Sequence, residues 1–312
     1  LLSRRKELYA LQTAAFFTLL GWATIHLFWD VPYRTFLWSE TLSSGWVHEF
    51  LGMKWNDYVT HPSTDSAIQL FTRLMGVILL MSSIAAVFLP LVRKVLLLIS
   101  TVILGIVSLM LLKESGYQLA MLIEQASQVL APALFIAAAY RMIDRRKLLF
   151  AIKVAIALTF FGHGLYAIGY HPVPGNFIDM TMSILGLSEP EARFVLKCAG
   201  VVDIAIAVLI FGPSTARAAL VYASVWGMLT AFARPAHVLA LGSGVESLIY
   251  WTAQALCRIP HSVLPAAAWL MVLAGVSHSP INKGELGSLG RRIFSRNFRT
   301  TDERLSSNIS SV

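Results

Sequence analysis

The sequence predicts an all-α integral membrane protein, with eight transmembrane helices as two parallel four-helix repeats and a short or re-entrant ninth helix after them. Three observations predict it. Hydrophobic residues make up 56% of the 312 and charged residues only 13%, whereas a soluble domain carries about twice that charged share. The apolar residues fall in long continuous runs rather than the alternating segments of about ten residues that a transmembrane barrel requires. A pattern of basic residues, glycines and acidic residues also occurs twice along the chain.

The first span covers residues 9–30, behind the basic cluster Arg4, Arg5 and Lys6. No small-residue cleavage site follows, so this run reads as a retained helix and not as a signal peptide. The outer loop 31–66 carries Trp38, Trp46, Trp55 and Tyr58, rings suited to an amphipathic segment at headgroup level. Further spans are expected at 68–90, 95–112, 117–140, 149–170, 193–212, 217–233 and 237–257, each near the length that crosses a bilayer. Ile259, Pro260 and His261 then interrupt the chain before an apolar run, Ser262 to Val276, that contains Pro265. A full crossing by that run would strand the basic tail on the outer side, so a short or re-entrant helix is expected there. Arg93, Lys94, Arg141, Arg145, Arg146, Arg217 and Arg258 join the first basic cluster on one side, which places the N-terminus in the cytoplasm and suits a bacterial inner membrane.

The repeat is read from spacing. Arg4-Arg5-Lys6 matches Arg145-Arg146-Lys147, Gly21 matches Gly162 and Phe36 matches Phe177, all 141 residues apart. Arg73 and Gly76 match Lys197 and Gly200 at 124, and Gly105 with Gly227 and Glu124 with Glu246 follow at 122. An even number of helices per copy makes both copies enter from the same side, related by an axis near the membrane normal. The expected units are a first repeat, 1–144, a second, 145–258, a short hydrophobic helix, 259–279, and a basic cytoplasmic tail, 280–312.

The formal charge of +8 comes from residues that bound the apolar runs, where they anchor helices to lipid headgroups. No aromatic-interleaved basic region is present, so no nucleic-acid partner is expected; lipids, membrane protein partners or a second copy of the chain are. The two cysteines, Cys198 and Cys257, stand alone inside apolar runs and read as small buried side chains rather than a redox pair.

Ionisable residues inside spans point to a site. Four stand out: Glu124, Glu246, Asp203 and His163, the last within Phe161-Gly162-His163-Gly164. Counting helical rise from the expected span ends brings His163 and Glu246 to one depth, with Asp203 in reach of His163 or Gln254. His163, Asp203 and Glu246 are therefore the candidate catalytic residues. His163, Gly164, Glu246, Gln254 and His237 are the candidate cofactor contacts, with the glycines either admitting close helix approach or leaving room for a flat ring. An imidazole with buried carboxylates suits proton exchange with a quinone. It suits metal binding less, because no short His or Glu pair occurs in a span, and a haem between His26 and His163 is a remoter expectation. Cross-helix bonding that merely fixes the bundle is the competing reading. Arg258 and His261 read as an inner charge anchor beside a helix break, and Arg234 with His237 as part of an outer polar mouth.

The duplicated four-helix unit, Gly162-His163-Gly164 near the outer end of its first helix and Gly200-Val201-Val202-Asp203 in the next together resemble the DoxX-like membrane superfamily. The resemblance covers residues 9–257 and departs at Trp22, which stands where the first copy would carry the histidine. It implies small four-helix units, here in tandem, and proximity to quinone, since relatives include thiosulfate:quinone oxidoreductase subunits and partners of redox enzymes. The expected function is an integral membrane subunit of a redox or respiratory-type assembly, with a quinone or lipid pocket near His163 and Glu246. A self-contained membrane oxidoreductase and a small-molecule or lipid transporter are the alternatives.

Overall fold

A computed structural model describes residues 2–275, all of whose regular elements are helices. The first half begins with α1 (Leu2–Phe28), followed by three short helices, α2 (Arg34–Leu37), α3 (Glu40–Leu51) and α4 (Trp55–Thr60). Long helices α5 (Pro62–Val87) and α6 (Pro90–Glu114) come next, and then a helix in two pieces, α7 (Leu119–Glu124) and α8 (Ala126–Ala139). The second half runs α9 (Arg145–Ala167), α10 (Gly175–Leu185), α11 (Glu189–Leu209), α12 (Ala216–Ala240), α13 (Val245–Arg258) and α14 (Pro260–Leu273). Among the described residues seven stretches are long and apolar enough to cross a membrane: α1, α5, α6, α7 with α8, α9, α12, and α13 with α14. The chain is therefore an integral membrane protein with several transmembrane helices. α11 is long enough, but it carries Arg193, Lys197 and Asp203 among its apolar residues. The expected tail, 280–312, and residues 276–279 lie outside the described residues.

The last spans are drawn differently from the expected ones. Arg234-Pro235 reads in the sequence as the gap between two spans, yet both residues lie inside α12, where Arg234 is 3% exposed. The helix stops instead at Gly242, whose φ of +64° ends it in the left-handed region that glycine adopts without strain. The final crossing then runs from Val245 to Leu273, and the expected ninth element is its second half. Val245–Leu273 is one interrupted span, with Pro260 opening the second piece and Pro265 inside it.

Local chemistry sets the other boundaries. Asp144 caps α9, its carboxylate accepting from the Lys147 N–H at 2.9 Å, and that bond holds the Asp144 carboxyl below the usual range. Ser188 and Glu191 form a reciprocal capping box at the start of α11. The Trp-rich outer loop folds into α2–α4, pinned by Arg34, which pairs with both Asp30 and Asp65.

α1 and α9 occupy the centre. Leu11, Ala14, Ala15, Thr18, Leu19 and Ala23 of α1 are fully buried, as are Ile152, Ala155, Ile156 and Thr159 of α9. Alternation of small and branched residues lets several neighbours approach each of them. α1 packs on α5, α8, α13 and α14, and α9 packs on α7, α8, α11 and α14. The outer faces of α5, α6 and α12 keep large apolar residues exposed at helical spacing, among them Leu70, Leu74 and Val77, then Val95 and Val102, then Val221 and Val225. Such stripes are a lipid-facing surface.

Glycines mark the closest crossings. A Cβ on Gly21 would meet Ala253 O and Cys257 N at 2.6 Å, and one on Gly162 would meet Glu124 N at 2.8 Å and Ala120 O at 2.9 Å. Gly76 lies against His26 and Leu27, and Gly200 against Ala167 and Ile168, each at 2.9–3.1 Å from a notional Cβ.

Candidate functional site

The site grows from the two glycines around His163. Gly162 brings α9 onto the backbone of α7, and Gly164 brings the opposite face onto α11, where a Cβ would stand 2.9 Å from Gly200 O and 2.7 Å from Ile204. Both glycines are spent on helix approach, so Gly164 leaves no room for a ring. The crossing with α7 delivers Glu124, which is 5% exposed, to the imidazole: His163 Nδ1 lies 3.2 Å from Glu124 Oε2. The second oxygen of Glu124 accepts from Gln125 Nε2 at 3.1 Å. A buried carboxylate is costly without such partners, and here both of its oxygens have one.

His163 also faces a cavity of about 480 Å³, a size suited to one small lipid-soluble molecule. α9, α10, α11 and α12 form its walls, with Phe160, Phe177, Met180, Ile184, Leu196 and Leu229 among the apolar residues. Polar residues on it come from five helices: His163, Asp203, Arg234 with Thr230, and Arg258 and His261 from the two sides of the α13–α14 break. The His163 and His261 rings meet edge to face, with centroids 5.2 Å apart.

The polar atoms of this wall are under-satisfied. Asp203 Oδ1, Arg234 Nε, Arg258 Nε and His261 Nε2 are buried and make no hydrogen bond among the described residues. Arg234 donates through Nη1 to Thr230 O at 2.7 Å, and Arg258 donates through Nη1 to Gln254 Oε1 at 2.9 Å. Buried polar atoms in folded proteins are bonded in the great majority, so four orphans around one cavity mark a place where polar groups meet something other than protein.

The residues singled out by sequence are distributed unevenly. His163 and Asp203 both line the cavity. Glu246 does not reach His163: it stands exposed in the first turn of α13, because that helix begins at Val245 and not at residue 237. The partner of His163 is Glu124 of α7 instead. Gln254 serves Arg258 and donates to Tyr250 Oη at 3.1 Å, rather than serving Asp203. His237 is buried beside α10, with Nδ1 2.6 Å from Ser183 Oγ, and is not part of the cavity wall. His26 engages both ring nitrogens, one with Trp22 O at 2.6 Å and one with Tyr33 Oη at 3.0 Å. Among the described residues no group of three or more His, Cys, Asp or Glu side chains is placed to hold a metal ion.

Arg258, His261 and Trp226 were not legible as site residues. A basic residue followed by proline reads as a span end, and here it is the middle of one. The signal that distinguishes the two cases is the second apolar run behind Pro260, which with the first makes a span of 29 residues containing a break. The amphipathic helix α10, which covers one side of the cavity, likewise falls in a stretch expected to be loop.

The chain matches no family model, no curated protein and no solved structure.

Proposed function

We propose that the chain is an integral membrane subunit of a redox or respiratory-type assembly that holds a quinone or lipid in the cavity beside His163. One observation carries this reading: His163, paired with Glu124, lines a cavity of about 480 Å³ walled mainly by apolar side chains. With Nδ1 turned to Glu124, His163 keeps Nε2 for a ligand oxygen, and Glu124 fixes the ring's orientation. In quinone exchange the electrons come from the partner in the assembly. The imidazole and carboxylate hold and return a proton.

The same reading includes a tandem duplication of a DoxX-like unit, in an inner membrane with the N-terminus in the cytoplasm. α11 then serves as the eighth crossing, and the second repeat extends through α14. Crossed packing supports it: α1 lies on α13 and α14, and α9 lies on α7 and α8. Gly21 and Gly162 make equivalent contacts in those crossings, and Gly76 and Gly200 do so in theirs. The equivalence sets the last helices 133 residues apart, pairing Glu124 with Cys257 and Pro132 with Pro265, instead of Glu124 with Glu246. An interrupted span at the cavity, α13–α14, with the break between α7 and α8 beside His163, also suits a carrier, which would show itself as ligand uptake into protein-containing vesicles.

Binding of a short-chain quinone to the purified protein, read by quenching of tryptophan fluorescence, tests the reading. His163→Phe and Glu124→Gln are expected to weaken binding about ten-fold or more, with Glu246→Gln unchanged. Loss in Glu246→Gln with none in Glu124→Gln moves the site elsewhere, and no quinone or lipid binding at all contradicts it.

A further inference from the structure

The cavity holds two arginines whose charge nothing in its wall neutralises. Arg234 is 3% exposed, and the bonds it and Arg258 make go to a backbone carbonyl and an amide of their own helices. Among the described residues neither guanidinium has a carboxylate within ion-pair distance. The two stand within electrostatic range of each other, so burial brings together like charges. Glu124 lies within the same range, but both of its oxygens are held by His163 and Gln125. Asp203 lies against Trp226, eight residues before Arg234 and so about 12 Å away along α12.

We infer that the occupant of this cavity is an amphiphile with an anionic head, a carboxylate or a phosphate, seated on Arg234 and Arg258 with its apolar body along α10 and α11. This rests on the reading of the cavity as a ligand site, and narrows the ligand class that it admits. The planar guanidinium presents Nε and Nη as a fork that matches two oxygens of a carboxylate or phosphate, and in both arginines the Nε is the unpaired atom. His261 Nε2, also unpaired and 3% exposed, adds a third polar contact. A neutral head leaves the buried Arg234 and the half-buried Arg258 without a counter-charge. An anion completes them. Phe177, Met180 and Ile184 from α10 and Leu196 from α11 supply the surface for a chain.

The test uses the full chain in phosphatidylcholine nanodiscs, with dodecanoate, dodecyl phosphate, dodecanol and a decyl-substituted quinone as probes, and reads affinity by tryptophan fluorescence. One or both anions are expected to bind at least about ten-fold more tightly than dodecanol, and the ratio between them identifies the head as carboxylate or phosphate. Arg234→Gln and Arg258→Gln each remove that preference while dodecanol affinity stays constant, which separates loss of recognition from loss of fold. If a variant fails to fold, the comparison of probes on the unaltered chain still decides. Equal affinity for anion and alcohol, or tighter binding of the quinone, overturns the anionic head and leaves the cavity's role standing. Binding of none of the four overturns both.

Discussion

His163→Leu is expected to destabilise the purified protein by about 3 kcal/mol, because it strands the Glu124 carboxylate, which is 5% exposed, without its imidazole partner. The effect belongs to the pair and not to the lost imidazole volume. Adding Glu124→Gln to His163→Leu is therefore expected to restore part of the loss, since a neutral amide no longer needs a counter-charge and keeps the Gln125 side chain as a neighbour. Thermal unfolding of the two single variants and the double variant measures this directly. Additive losses would show that the two side chains do not depend on each other. Ligand affinity is expected to fall in all three, because the polar end of the cavity loses either its donor or the group that orients it.

Gly227→Ala is the second large effect. A Cβ at this position would stand 2.4 Å from His261 O and 2.6 Å from His261 C, both backbone atoms that cannot rotate away. Pro265 explains why the backbone of α12 meets that carbonyl so closely: a proline four residues on has no N–H to give it, so the oxygen faces outward unbonded by its own helix. Separating α12 from α14 would cost about 1–3 kcal/mol and also shift Trp226, Thr230 and Arg234 relative to His261. Gly105, its match in the spacing of the sequence, has nothing within 4 Å of a notional Cβ. Gly105→Ala should thus gain about 0.5–1 kcal/mol through helix propensity alone. Opposite signs for the two substitutions in one unfolding assay are the expected outcome, and matching signs would contradict the packing described for α12.

The fold was legible where composition and period decide it. Long apolar runs gave the multi-span architecture, and Gly21 with Gly162 and Gly76 with Gly200 marked crossings in which each pair makes matching contacts. Boundaries were less legible: α9 and α11 each begin four residues before the spans expected at 149–170 and 193–212, behind the caps Asp144 and Ser188. The last span was misplaced because Arg234 and Arg258 look like span ends, and sequence carries no record of whether a cation faces water or a cavity. The same displacement of eight residues in the start of α13 moved Glu246 from the span interior to an exposed first turn. His163 and Asp203 were found because an ionisable residue inside an apolar run is rare. Glu124 was found for the same reason, but its pairing with His163 was not, and neither was the approach of His261 and Arg234 to His163's cavity, since these meet through crossings between helices remote in sequence. No periodicity within one helix encodes which face of another it meets.

The position of the ligand decides between a filled cavity and a merely structural polar cluster. Ala199 lines the cavity from α11 and is not a member of the His163–Glu124 pair, so Ala199→Phe fills the space while leaving both side chains of the pair unaltered. Native mass spectrometry of the protein released from neutral detergent is expected to show a retained quinone, lipid or acidic amphiphile on the unaltered chain and none on Ala199→Phe, with both equally folded. Equal ligand occupancy in the two, or a folded unaltered chain that neither retains nor rebinds any such molecule, would contradict the assignment of this cavity as the binding site.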